Sequence, residues 1–378
     1  MMRVLHRCLV FATLLAAVLA VSCITPTDRQ AETAARARPS KLSPANATFD
    51  LEAEGIKRLW PQELGQLSSN RRLKNIYSAG ALVVVEAAEG EIHCLEASSG
   101  VWMSTAVLEG PLSMPPAAMG DTLFLAVGST LFTYDVGKDR LSRGYNPQFP
   151  LFVAPLLRGN ELILAAGNGH LATLALVGEK QTFLASLNGP IFERPVISAG
   201  RLYASATGDK AIAWDLDRGL ELWRWGPQRP SKITTGVAVI GDRVYVGDNR
   251  GFLYSLDAEH GAETWKAMFE APLVGRPEVV GSKLVVFTDK PSMVCLDGGG
   301  ERQELWRLEG GCKLLTVGKR AFYALTQDHC VVAIQPDSGK ELWRQPLPKD
   351  CCIVGDAARP VLYIANTAGS IVALAELD

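Results

Sequence analysis

The chain repeats itself about every 40 residues, and that period bounds its fold more tightly than any other feature. "DRVYVGDNRGFLYSLDAEHGAETW", Asp242 to Trp265, reads as strand, turn, strand, turn, strand. VYV and FLYSLD carry β-branched and aromatic residues, while DNRG and AEHG carry turn chemistry. Arg320–Trp343 and Arg201–Trp223 are close copies, and Ser282–Trp306 has a longer second turn. Gly80–Gly100 keeps the first two strands, with Trp102 two places early. Asp121–Gly137 and Asn160–Leu176 are degenerate, and Pro360–Asp378 is the last copy.

The residues at the centre of each first strand are Val84, Phe124, Ile163, Tyr203, Tyr245, Val285, Tyr323 and Tyr363, at separations of 40, 39, 40, 42, 40, 38 and 40. Strands and turns at this period, without a helical pattern, predict an all-β fold: an eight-bladed β-propeller with four strands per blade. A seven-bladed ring results if the Asp121 unit is not a blade. The apolar stretch before each unit, such as TTGVAVIG ahead of Asp242, supplies the innermost strand at the axis. The last unit lacks a tryptophan strand of its own, and EGIKRLW (Glu54–Trp60) is expected to complete it, pairing the two ends of the ring.

Alternation along strands such as LYSLD sends successive side chains to opposite faces of a blade. Trp60, Trp223, Trp265, Trp306 and Trp343 recur at one blade position, so packing between adjacent blades explains them better than a cofactor box does. Gly100, Gly219, Gly261 and Gly339 punctuate the second turn, where positive φ is needed.

The segment ahead of the repeats has a different character. MMRVLHR is basic, Cys8–Val21 is apolar and of signal-peptide length, and LAVSC ends in Cys23. This order matches a lipoprotein signal over residues 1–22 with Cys23 as the lipidated residue. Ile24 after it favours the outer membrane over inner-membrane retention. Residues 23–50, rich in Ala, Pro, Thr, Ser and Arg, read as a tether of roughly 25–30 Å reach, and 51–378 as the propeller. The 38 Lys and Arg against 40 Asp and Glu give a net charge of −2 without long like-charge runs, which argues against a nucleic-acid partner.

GFLYSLDAEHGAETW (Gly251–Trp265) resembles the consensus of the pyrroloquinoline-quinone-type (PQQ-type) propeller repeat. The resemblance covers about Leu51 to Asp378 and is strongest in the units holding Trp223, Trp265, Trp306 and Trp343. It implies one of two groups. Quinoprotein dehydrogenases oxidise substrates through a bound quinone; cofactor-free lipoproteins of the outer-membrane β-barrel assembly machinery bind partner proteins. The lipobox, short tether, compact blades and closing strand are similar to the second group.

The chemistry visible in the chain points the same way. Repeat separations of 38 to 42 leave no insertions to roof a quinone, and no Asp, Glu and Asn cluster offers the six to eight oxygens a hard cation wants. His93, His170, His260 and His329 fall in four different units, and His6 lies in the signal segment. No GxSxG, HExxH or P-loop occurs. No cofactor, metal site or catalytic residue is therefore expected. Cys351 and Cys352 raise the question of a quinone-contacting ring, but they align as ordinary inner-strand sequence. Cys312 and Cys352 occupy equivalent inner-strand slots of neighbouring blades, leaving a bridge from Cys312 to Cys352 (or Cys351) and free buried thiols both open. RGYNPQFPLF (Arg143–Phe152), with Tyr145, Phe149 and Phe152, is the leading candidate for an exposed partner loop, and WRWGPQRPSK (Trp223–Lys232) the second. The expected function is a non-catalytic, lipid-anchored scaffold on the periplasmic face of the outer membrane. Its partners are then envelope proteins such as the β-barrel assembly complex, with a quinone-dependent dehydrogenase or a glycan- or peptide-binding propeller as alternatives.

Overall fold

The computed structural model describes residues 55–64, 72–298 and 303–377. The signal segment, Cys23 and the whole of the tether region lie outside the described residues. The described residues form eight four-stranded antiparallel sheets. Blades 1 to 7 each run from inner to outer strand in chain order, over 73–107, 117–141, 156–186, 196–225, 238–268, 273–309 and 311–346. Blade 8 holds Cys351–Gly355, Val361–Asn366 and Ser370–Glu376, and its outer strand is Ile56–Glu63. That strand runs antiparallel to Ser370–Glu376 with Trp60 opposite Ala373. Strands from the two ends of the propeller thus complete one sheet and close the ring.

The core is divided among the blade interfaces. Leu82–Ala87 is buried along its whole length. Val83 and Val85 join the apolar cluster shared with blade 8, while Leu82 and Val84 join the one shared with blade 2. Every neighbouring pair of blades shares such a cluster, so each middle strand is apolar on both faces. Burying one such Val or Leu contributes about 1.5–3 kcal/mol.

The outer strands add a directional lock. Nε1 of Trp60, Trp223 and Trp306 donates to Ala97 O, Ala258 O and Pro336 O of the following blade, at 3.1, 3.1 and 2.8 Å. Facing these indoles are Gly100, Gly261 and Gly339, at φ +73°, +70° and +69°. A Cβ at these positions would lie 2.4, 2.6 and 2.5 Å from the indole, so both the backbone and the space demand glycine. Trp265 packs on Tyr245 and Trp343 on Tyr323, with ring centroids 5.8 and 6.0 Å apart.

One-residue bulges shape the outer strands of blades 4 to 7. A flat strand sends residues three apart to opposite faces. The bulge at Leu222 brings Glu221 and Arg224 together at 2.8 Å, and the same device pairs Glu304 with Arg307 and Glu341 with Arg344 at 2.9 Å.

Candidate functional site

Three segments line an axial concavity: LFVAP (Leu151–Pro155) and IFERP (Ile191–Pro195), each just ahead of an inner strand, and LVGRP (Leu273–Pro277), within one. The first residue of each is buried in a blade interface. The second to fourth residues of each line the concavity. Phe152, Phe192, Arg194, Arg276, Glu278 and Lys313 are among the residues lining an axial cavity of about 520 Å³.

Phe152 and Phe192 are 45% and 54% exposed, with ring centroids 6.2 Å apart. Phe152 lies against Gly167, where a Cβ would come within 2.3 Å of the ring. Arg194 donates through Nη2 to Pro155 O at 3.1 Å, and Arg276 pairs with Glu278 at 3.1 Å. Loss of hydration inside the concavity raises the Glu193 pKa; Arg276 opposes this and Glu278 adds to it. The same desolvation, reinforced by Arg276, lowers the pKa of Arg194. Gly236 permits the crowding, since a Cβ there would lie 2.6 Å from Glu193 Cβ, and its amide donates to Gly275 O across the blade 5–blade 6 boundary at 3.0 Å. Two exposed aromatic rings beside guanidinium groups suit the apolar and acidic side chains of a protein partner.

The partner loop read from the sequence is only partly at this surface. Tyr145 exchanges two 2.7 Å backbone hydrogen bonds with Leu131, extending the edge of blade 2, and its hydroxyl donates to Gln181 Oε1 at 2.9 Å. Phe149 is buried between blades 2 and 3, against the His170 ring. The expectation of an exposed aromatic loop is therefore corrected: a short outer strand (Arg140–Leu141) draws the loop into the sheet and the core, and Phe152 is the member that faces the axis. In the second loop, Trp225 packs on Tyr254 at 4.9 Å, while Gln228–Pro230 are exposed. Sequence reading missed Phe192, Arg194 and Arg276. The signal was present, because IFERP and LVGRP align with LFVAP in the repeat.

The six cysteines within the described residues are free thiols. Cys312 is exposed at the cavity wall, and Cys352 Sγ donates to Lys74 O of blade 1 at 3.3 Å.

The family model described as outer membrane protein assembly factor BamB matches residues 212–376. Outer membrane protein assembly factor BamB of Burkholderia pseudomallei is 22% identical over 317 residues, covering 74% of this chain and 80% of that protein. BamB from Moraxella catarrhalis superimposes with a TM-score of 0.66 at 14% identity, over 85% of this chain and 97% of the other. The protein is a PQQ-like β-propeller that resembles BamB.

This BamB-like propeller also has enzyme relatives. Quinohemoprotein alcohol dehydrogenase ADH IIB of Pseudomonas putida is 35% identical over 106 residues, and the chain spans only 15% of that protein's length. The residues present do not fit a quinone site of the dehydrogenase type. Cys351 and Cys352 sit on one extended strand, opposite Asn366 and Ala365. Their side chains leave opposite faces, Cys351 towards blade 7 and Cys352 towards blade 1, so they do not form a joint surface for a cofactor. At the axis, Glu278 is held by Arg276 and Glu193 lies in the field of the same guanidinium. Among the described residues no group of three or more His, Cys, Asp or Glu is placed to hold a metal ion.

Proposed function

We propose that the protein is a non-catalytic, lipid-anchored scaffold in outer-membrane protein assembly, held by Cys23 on the periplasmic face of the outer membrane and docking its partners at the axial mouth. The observation that carries this reading is the extent of the likeness. The match to the Burkholderia BamB runs through 80% of that protein, whereas the match to the Pseudomonas putida dehydrogenase covers 15% of the enzyme. The lipobox ending in Cys23 and the tether over 23–50 support the anchor, and Phe152 and Phe192 beside Arg194 and Arg276 support the docking face.

Affinity purification of the full chain from detergent-solubilised membranes tests the reading. Recovery of barrel-assembly proteins supports it, and their absence counts against the assembly role. Phe192→Ser with Arg276→Glu is expected to cut that recovery at least tenfold without unfolding the ring. Quinone absorbance after reconstitution with Ca²⁺, together with dye reduction by alcohols or sugars, would overturn the non-catalytic part.

A further inference from the structure

The segment that carries Phe192 and Arg194 joins the outer strand of blade 3 to the inner strand of blade 4 without pairing in either sheet. Its main chain is left with open donors. Among the described residues, none accepts a hydrogen bond from the backbone amides of Phe192, Glu193 and Arg194. The Arg194 guanidinium is in a similar position: its partner is the backbone oxygen of Pro155, and no described carboxylate pairs with it.

The charges around the axial cavity do not balance. Arg194, Arg276 and Lys313 stand against Glu193 and Glu278, which leaves one positive charge over. Arg276 is paired with Glu278 and also acts on Glu193, so the surplus falls on Arg194 and Lys313. Desolvation and the field of Arg276 both oppose the charge on Arg194, and an incoming anion would relieve both. Beside this cation lies an apolar surface. Phe192 precedes Arg194 by two residues, at most about 7 Å along the chain, and its exposed ring pairs with that of Phe152.

We propose that the axial concavity captures the free C-terminal end of a polypeptide whose last residue is aromatic or large and apolar. The terminal carboxylate meets Arg194 and the open amides, with Lys313 as a second cation, while the terminal side chain lies on Phe152 and Phe192. A single residue offers a large apolar group and a carboxylate together only at a chain end, where both leave the same Cα. The volume agrees: about 520 Å³ is the size of a small-ligand site, which suits the last few residues of a chain and not the face of a folded domain. The inference rests on the reading of the axial mouth as the docking face and names the chemistry that face selects.

Fluorescence anisotropy with the full chain tests it. The probe is an N-terminally labelled hexapeptide of glycine and serine ending in phenylalanine with a free carboxylate. Three controls share its label: the C-terminal amide, a peptide ending in serine, and an amidated peptide ending in phenylalanine and aspartate. The expected result is that each control binds about tenfold more weakly or worse. Arg194→Gln is expected to erase the preference for acid over amide, and Phe192→Ser the preference for phenylalanine over serine. Each ratio is read within one variant, so a general loss of binding does not mimic it. Equal binding of acid and amide by the unaltered protein, or no binding of either, overturns the proposal whatever the variants do. Equal binding of the peptide ending in phenylalanine and aspartate overturns it too, because an internal segment would then serve as well. Recovery of barrel-assembly proteins from membranes alongside any of these results would sink this inference and leave the assembly reading standing. Selective binding of the free acid without such recovery would do the reverse.

Discussion

Replacing Gly261 by alanine strikes two physical terms at once, and the repeat supplies its own control. Gly261 has φ +70°, and a Cβ there would lie 2.6 Å from Trp223 Cδ2. Left-handed backbone costs an alanine about 1–2 kcal/mol. Relieving the overlap means shifting a buried indole, and overpacking of this kind costs about 1–3 kcal/mol. If the shift breaks the 3.1 Å bond from Trp223 Nε1 to Ala258 O, about 1 kcal/mol more is lost. The total is about 2–5 kcal/mol with the bond kept and about 3–6 kcal/mol with it lost. Gly219, in the same turn of blade 4, has φ +68° but open space where its Cβ would go. Gly219→Ala therefore carries the backbone term alone, about 1–2 kcal/mol. Thermal unfolding of the two variants, followed by tryptophan fluorescence, separates the terms. The expected fall in Tm for Gly261→Ala is at least twice that for Gly219→Ala. Equal falls would refute the claim that the indole, rather than the turn, makes glycine necessary.

Three further outcomes follow from the structure. Alkylation of the native protein at pH 8 without reductant is expected to modify Cys312 first and to spare Cys94, Cys295 and Cys351, whose thiols burial pushes up to about 12, 11 and 11; a bridged Cys312 would resist labelling until reduced. Glu193 holds its proton more tightly folded than unfolded, so its contribution to stability falls as pH rises from about its ordinary value towards its raised one. Glu193→Gln is expected to remove that slope, and a denaturation series across pH that leaves the slope unchanged would sink the assignment. Trp60→Ala removes a buried indole and its bond to Ala97 O and is expected to cost about 3–5 kcal/mol. Exchange of the Ile56–Glu63 amides should accelerate before that of blades 3 to 6.

Much of this architecture could be read from the chain alone. A period near 40, strand-like runs and glycine-marked turns specify blades because a lone four-stranded sheet that is apolar on both faces has to stack on its neighbours. The closing role of Glu54–Trp60 was legible for the same reason: the final unit lacked an outer strand, and one stood at the other end. The proposed docking surface was not legible. Phe149 and Phe152 are three residues apart in one aromatic run, yet one is buried between blades and the other faces the axis, because the loop's path, not its composition, sets which side each ring takes. Glu193 and Arg276 lie two blades apart in sequence, yet both crowd Gly236 once the blades pack side by side. Local periodicity determined which residues enter a blade and on which face. The curvature of eight blades about one axis decided which residues meet at the centre, a long-range condition that neighbours in sequence do not carry.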